Sequence, residues 1–179
     1  MAKHALPVFT RDLRTGAMKE LTPGEAMNFA RIRDTTAPLQ FRVLVADDME
    51  LDRRLTIRLL GKAWLVERDL TVECAADGTE ALEKIHRHRY ALVVLDWNMA
   101  QPDGAEVLRA IREKGLRVPV VVVSGERRET IARDLETMAA TFVSKDDLNP
   151  GSFHDAIAMS IQLQERQGPI GSEPDTRQV

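Results

Sequence analysis

From residue 41 to about residue 167, short apolar runs alternate with longer amphipathic stretches. The runs at 41–46, 70–74, 91–95, 118–123 and 140–143 are rich in β-branched residues and bounded by charge or turn signals, which predicts buried strands. The most continuous of them lack polar alternation, the mark of central parallel strands covered on both faces. Between the runs, apolar positions recur with the helical period. Leu51, Leu55, Arg58 or Leu59, and Lys62 mark a first helix, with Arg53, Arg54 and Arg58 set outward. Ala81, Leu82 and Ile85 mark a second, and Val107, Leu108 and Ile111 a third that stops near Gly115. Ile131, Leu135 and Met138 mark a fourth, and Phe153, Ile157, Ile161 and Gln164 a fifth. Five repeats of strand then helix predict an α/β fold: a doubly wound, five-stranded parallel sheet with right-handed crossovers and helices on both faces. Ligands of such sheets bind beyond the carboxyl ends of the strands.

The two ends read differently. Thr22-Pro23-Gly24-Glu25 has capping-box spacing with proline at the first helical position, predicting a short helix through about Arg33. Val8-Phe9 and Ala17-Met18 flank Asp12 to Gly16 and can pair as a small hairpin. Thr36-Ala37-Pro38 reads as a linker. From Gly168 onward two prolines, two glycines and little apolar content predict a disordered tail. The division is an N-terminal extension (1–40), a main domain (41–167) and a tail (168–179).

Composition narrows the function. A chain of 179 residues, 44% apolar and 30% charged, suits one soluble domain with trimmings. A net charge of -3 and 4% aromatics argue against nucleic-acid binding by bulk charge or by base stacking. No run approaches the roughly 18 apolar residues of a membrane span. The N-terminus lacks the apolar stretch of a secretory signal, and Cys74 is a lone cysteine, so a reducing cytoplasm is the expected setting. His86 and His88, two apart on a helix, face away from each other, and no glycine-rich phosphate loop follows the first strand.

The strand ends carry the chemistry. The first delivers Asp47-Asp48, the third Asp96 with Trp97-Asn98-Met99, the fourth Ser124-Gly125 and the fifth Ser144-Lys145. Singly, each has a plain role: an aspartate or serine caps a helix, and a lysine is a solvated charge. Their convergence on one rim is what points to a site. Crowded carboxylates repel, and a hard divalent cation relieves that repulsion. Mg2+ suits, because it accepts one or two carboxylates and leaves positions for phosphate oxygens. Lys145 supplies a point charge and Ser124 a donor. A carboxylate so placed can attack a phosphoryl group and form an aspartyl phosphate.

As they stand in ADDMELDRR, VVLDWNMAQPDG, VVVSG and FVSKDD, these residues resemble the response-regulator receiver domain of two-component signalling. The resemblance implies a flavodoxin-like (βα)5 fold with the first two strands exchanged in the sheet order. It implies Asp96 as phosphoacceptor, Asp48 as a direct Mg2+ ligand with Asp47 acting mainly through water, and Asn98 offering its backbone carbonyl. It implies Ser124 and Lys145 on the phosphate, and a switch in which Ser124 moves inward and Phe142 rotates after it. Asn98 and Glu126 resemble the pair that tunes phosphate lifetime in the chemotaxis response regulator, which implies a short-lived signal. Two positions depart from the pattern. Asp146 follows Lys145 where a cis proline is usual, and a non-proline cis bond costs about 3–4 kcal/mol. Ala100 replaces a common proline, with Pro102 two residues on.

The expected function is that of a stand-alone receiver, because too few residues flank the repeats for a DNA-binding domain. It would accept its phosphoryl group from a sensor histidine kinase and bind a downstream target protein, with no direct nucleic-acid contact and no membrane insertion. The alternative is a phosphorelay intermediate that hands the group to a histidine phosphotransfer protein. A non-phosphorylated binding module would not need the clustered carboxylates. A Mg2+-dependent phosphatase of the haloacid dehalogenase type would want an aspartate where Asn98 stands.

Overall fold

The computed structural model describes residues 8–11, 17–20, 41–63 and 70–166. Two short strands, β1 (Val8–Arg11) and β2 (Met18–Glu20), come first. Then follow β3 (Phe41–Ala46), α1 (Glu50–Ala63), β4 (Leu70–Ala75), α2 (Gly78–Arg87), β5 (Leu92–Asp96) and α3 (Gly104–Glu113). β6 (Val120–Ser124), α4 (Arg128–Thr137), β7 (Thr141–Ser144), a 3-10 turn (Lys145–Asp147) and α5 (Pro150–Arg166) complete the order. The expected helix at 22–33 and the tail from 168 lie outside the described residues.

The five strands β3 to β7 are parallel, in the order β4-β3-β5-β6-β7, the doubly wound arrangement expected. The sheet has one addition. β1 and β2 pair antiparallel, and β1 lies antiparallel along β4, Phe9 opposite Val72, giving seven strands in the order β2-β1-β4-β3-β5-β6-β7. The hairpin covers the backbone edge that β4 would otherwise expose, and Phe9 buries into the core beneath α1.

Each face of the sheet has its own apolar layer. On one, α1 and α5 bring Ile57, Leu60, Phe153 and Ile157 onto Val43, Val45 and Val72. On the other, α2, α3 and α4 bring Ile85, Leu108, Ile111 and Leu135 onto Leu44, Val93 and Val122. Strands buried on both sides must be apolar at nearly every position, which is why these runs were continuous.

Two helix faces differ from expectation. In α1, Leu51 and Leu55 are exposed (76% and 46%), while Arg53 is buried with Thr56, Ile57, Leu60 and Ala63. The helix carries two overlapping stripes. The stripe through 53, 56, 57, 60 and 63 faces the core with Leu59 buried beside it, and the Arg53 head finds an acceptor in the Asp47 carbonyl. In α5, Ile161 is exposed and Ser160 takes the inward position, its hydroxyl bonded to the Ile157 carbonyl, so the buried series is 153, 157, 160 and 164.

Candidate functional site

At the carboxyl edge of the sheet, Asp47, Asp96 and Lys145 arrive from the ends of β3, β5 and β7. The Lys145 Nζ donates to Asp47 Oδ2 at 3.2 Å, to Asp96 Oδ2 at 3.1 Å and to Asp52 Oδ2 at 2.7 Å. Asp47 and Asp96 are buried, and Asp48 beside them is exposed. Asp47, Asp48 and Asp96 each offer a carboxylate oxygen, all within 4.8 Å of one another.

Backbone geometry holds the acids. The Met49 N–H donates to Asp47 Oδ1 at 2.8 Å, and the Asn98 N–H donates to Asp96 Oδ1 at 3.2 Å. Arg53, from within α1, donates to the Asp47 carbonyl and ties the β3–α1 loop to the helix. Lys145 opens the 3-10 turn, and its bond to Asp146 is trans; Gln101–Pro102 is the cis bond of the described residues. Asp96 is closely backed by Gly104 at the start of α3. A Cβ there would come within 2.4 Å of the Asp96 carbonyl oxygen and 2.6 Å of Trp97 Cα. Gly104→Ala is therefore expected to destabilise by about 1–3 kcal/mol, the usual cost of overpacking. Gly125→Ala, where a Cβ meets nothing within 4 Å, should stay within about 0.5 kcal/mol. Denaturant melts of the two variants check the contrast.

The electrostatics are those of a site short of positive charge. Burial pushes the Asp47 carboxyl up to about 6; the Asp96 charge adds to the rise, while the Met49 N–H and Lys145 oppose it. Burial alone would pull the Lys145 ammonium down, but its bonds to Asp52 and Asp96 and the charge of Asp47 outweigh that and hold it above its ordinary value. Three carboxylates share one ammonium, and the Asp48 carboxylate lies beside them. A hard divalent cation fits this donor set: all-oxygen ligands, excess negative charge, and one ligand residue open to solvent. Asp47, Asp48 and Asp96 could hold it.

The remaining candidates lie around this cluster. Asn98 is exposed, and its side-chain amide reaches Glu126 Oε1 at 3.5 Å. Ser124 is fully buried, and its Oγ accepts the Glu126 N–H at 3.0 Å. Phe142 is half-buried on β7 and packs on the α2–α3–α4 layer. It also lines a groove of about 710 Å³ between α4 and α5, with Ala132, Leu135 and Met159. Asp52 and Arg53 were missed as site residues. Asp52 reads as an ordinary acidic residue of a first helical turn, and only the fold shows it against Lys145. Among the described residues, no other group of three or more His, Cys, Asp or Glu could hold a metal ion. Cys74 is buried, and burial pushes its thiol up to about 11.

Residues 43–158 match the family described as the response regulator receiver domain. The transcriptional regulatory protein TctD of Salmonella typhimurium is 35% identical over 112 residues, 63% of this chain and 46% of that protein. A protein-glutamate methylesterase/protein-glutamine glutaminase 2 of Koribacter versatilis is 39% identical over 114 residues, 62% of this chain and 30% of that protein. The chain spans less than half the length of these curated relatives. Among solved structures, the chemotaxis protein CheY4 of Vibrio cholerae is similar with a TM-score of 0.57 and 26% identity, covering 67% of this chain and 98% of that one.

Proposed function

Because the chain belongs to the response regulator receiver family, one of phosphoacceptor switches rather than conventional enzymes, we propose that it takes a phosphoryl group on Asp96 from a phosphohistidine and signals through a protein-binding surface. The observation that supports this most is the setting of Asp96. It is buried at a strand end, one oxygen held by the Asn98 N–H and the other by Lys145, with Asp47 and Asp48 alongside. One Asp96 oxygen forms the new bond to phosphorus while the phosphorus–nitrogen bond breaks, and its electron pair leaves with the imidazole of the donor. Lys145 and the Ser124 hydroxyl take up charge on the phosphoryl oxygens. Asp47, Asp48, Asp96 and the Asn98 carbonyl would hold Mg2+, which supplies charge neutralisation when bound.

Ser124 carries the signal onward. To reach a phosphoryl oxygen its hydroxyl gives up the Glu126 N–H, and Phe142 follows into the space left. That movement changes the groove between α4 and α5, which we assign as the face a downstream protein reads. Asn98 and Glu126, in contact beside the acceptor, set how readily water reaches the phosphorus. Residues 41–167 form the receiver, and residues 1–40 extend it. No described helix is long and apolar enough to cross a membrane; we place the protein in the cytoplasm with its kinase.

The phosphohistidine donor has a docking flank. Met49, Leu51 and Leu55 stand exposed on α1 and the loop before it, next to the rim that holds Asp96. Leu51→Glu combined with Leu55→Glu is expected to slow transfer from a histidine-phosphorylated donor protein about tenfold, roughly 1.4 kcal/mol of lost contact. Labelling by a small acyl phosphate, which needs no docking, should be unchanged. Equal losses with both donors, or none with either, would remove the docking role.

A further inference from the structure

Asp52 makes the shortest of the three bonds to Lys145, 2.7 Å against 3.1 Å to Asp96 and 3.2 Å to Asp47. It stands in the first turn of α1 on the solvent side of the cluster, its side chain 41% exposed where those of Asp47 and Asp96 are buried. An ammonium has three N–H donors, and these three carboxylates use all of them.

We propose that Asp52 is a brake on phosphorylation, a positioning residue that occupies a Lys145 donor the incoming phosphoryl group needs. The proposal rests on the reading of Asp96 as acceptor. As the phosphoryl group arrives, its oxygens bring two negative charges, and Lys145 must turn an N–H toward them. Asp96 becomes an acyl phosphate and loses its full charge, so its own hold on Lys145 weakens. Asp47 is fixed by the Met49 N–H and belongs to the carboxylate trio that faces a cation. Asp52 lies outside that trio, forms no bond to the phosphoryl group, and has Lys145 as its side-chain partner. It is therefore the acceptor that competes with the phosphoryl group. Its charge also stands on the open side, where the group enters, and repels it; both effects slow the reaction, and salt screens both.

The test measures labelling of the full chain by a small acyl phosphate with Mg2+, following the phosphorylated mass with time. Asp52→Asn keeps the shape without the charge and should label about three- to tenfold faster than wild type, the range of a partly exposed charged hydrogen bond. Asp52→Glu keeps the charge and should label at the wild-type rate. The gap between wild type and Asp52→Asn should narrow as salt is raised. Mg2+ affinity by calorimetry should change less than about threefold, as expected of a residue that is not a ligand. An Asp52→Asn rate equal to or below wild type overturns the brake and leaves the acceptor assignment standing. A loss of Mg2+ affinity above about tenfold overturns it too, because Asp52 would then be a cation ligand. No labelling of wild type overturns the acceptor reading and the brake together.

Discussion

Lys145→Ala is expected to slow phosphorylation by a small acyl phosphate about 100-fold or more, roughly 2.7 kcal/mol of transition-state stabilisation. Charge builds on the phosphoryl oxygens beside a buried carboxylate, and among the described residues the ammonium is the one cation bonded to that carboxylate. The loss should exceed the effect of any surface change because the Asp96 carboxylate that the ammonium serves is buried, where water replaces a lost charge poorly. Stability moves as well. Removing Lys145 leaves Asp47 and Asp96 buried together without their counter-charge, and one of them must take up a proton more readily. Asp47 already titrates near 6, above its ordinary 3.8. A carboxyl whose folded value is raised favours the fold at low pH, and that favour is lost as pH rises through the folded value. The cation-free variant should therefore melt lower at pH 8 than at pH 5.5, by a wider margin than wild type. Thermal melts at the two pH values, with and without Mg2+, check this. A variant that labels within threefold of wild type would remove Lys145 from the chemistry.

Much of the fold was legible because strands covered on both sides leave a dense apolar signature, and five such runs with helices between them admit few topologies. The topology then does for the site what no local motif could. Asp47, Asp96 and Lys145 are 49 or more residues apart, yet strand ends of a parallel sheet meet along one edge. What the sequence concealed has physical causes. In α1 two stripes of similar apolar content overlap, and an arginine that hides its stem while bonding the Asp47 carbonyl looks the same in sequence as a solvated one. Asp52 is indistinguishable from a helix-start acid until Lys145 is brought to it from β7. The hairpin pairing of β1 with β2 is local, but its attachment to β4 is a contact across some sixty residues that no short pattern encodes. The close approach of the Asp96 backbone to Gly104 is likewise a contact between separate elements that no local pattern encodes.

The central claim is that Asp96 is the phosphoacceptor, and Asp96→Asn is expected to abolish the phosphorylated species altogether. The substitution keeps the shape and the Asn98 N–H contact but replaces the nucleophilic carboxylate by an amide, which does not attack phosphorus. Asp47 and Asp48 remain, so any label they could accept would persist. The direct measurement is intact mass after incubation with a small acyl phosphate and Mg2+, wild type beside Asp96→Asn. The expected result is one phosphoryl group on wild type that requires Mg2+ and decays within minutes, with none on Asp96→Asn. A phosphorylated Asp96→Asn chain, or a wild type that binds Mg2+ and never gains the mass from either acyl phosphate or phosphohistidine, would contradict it.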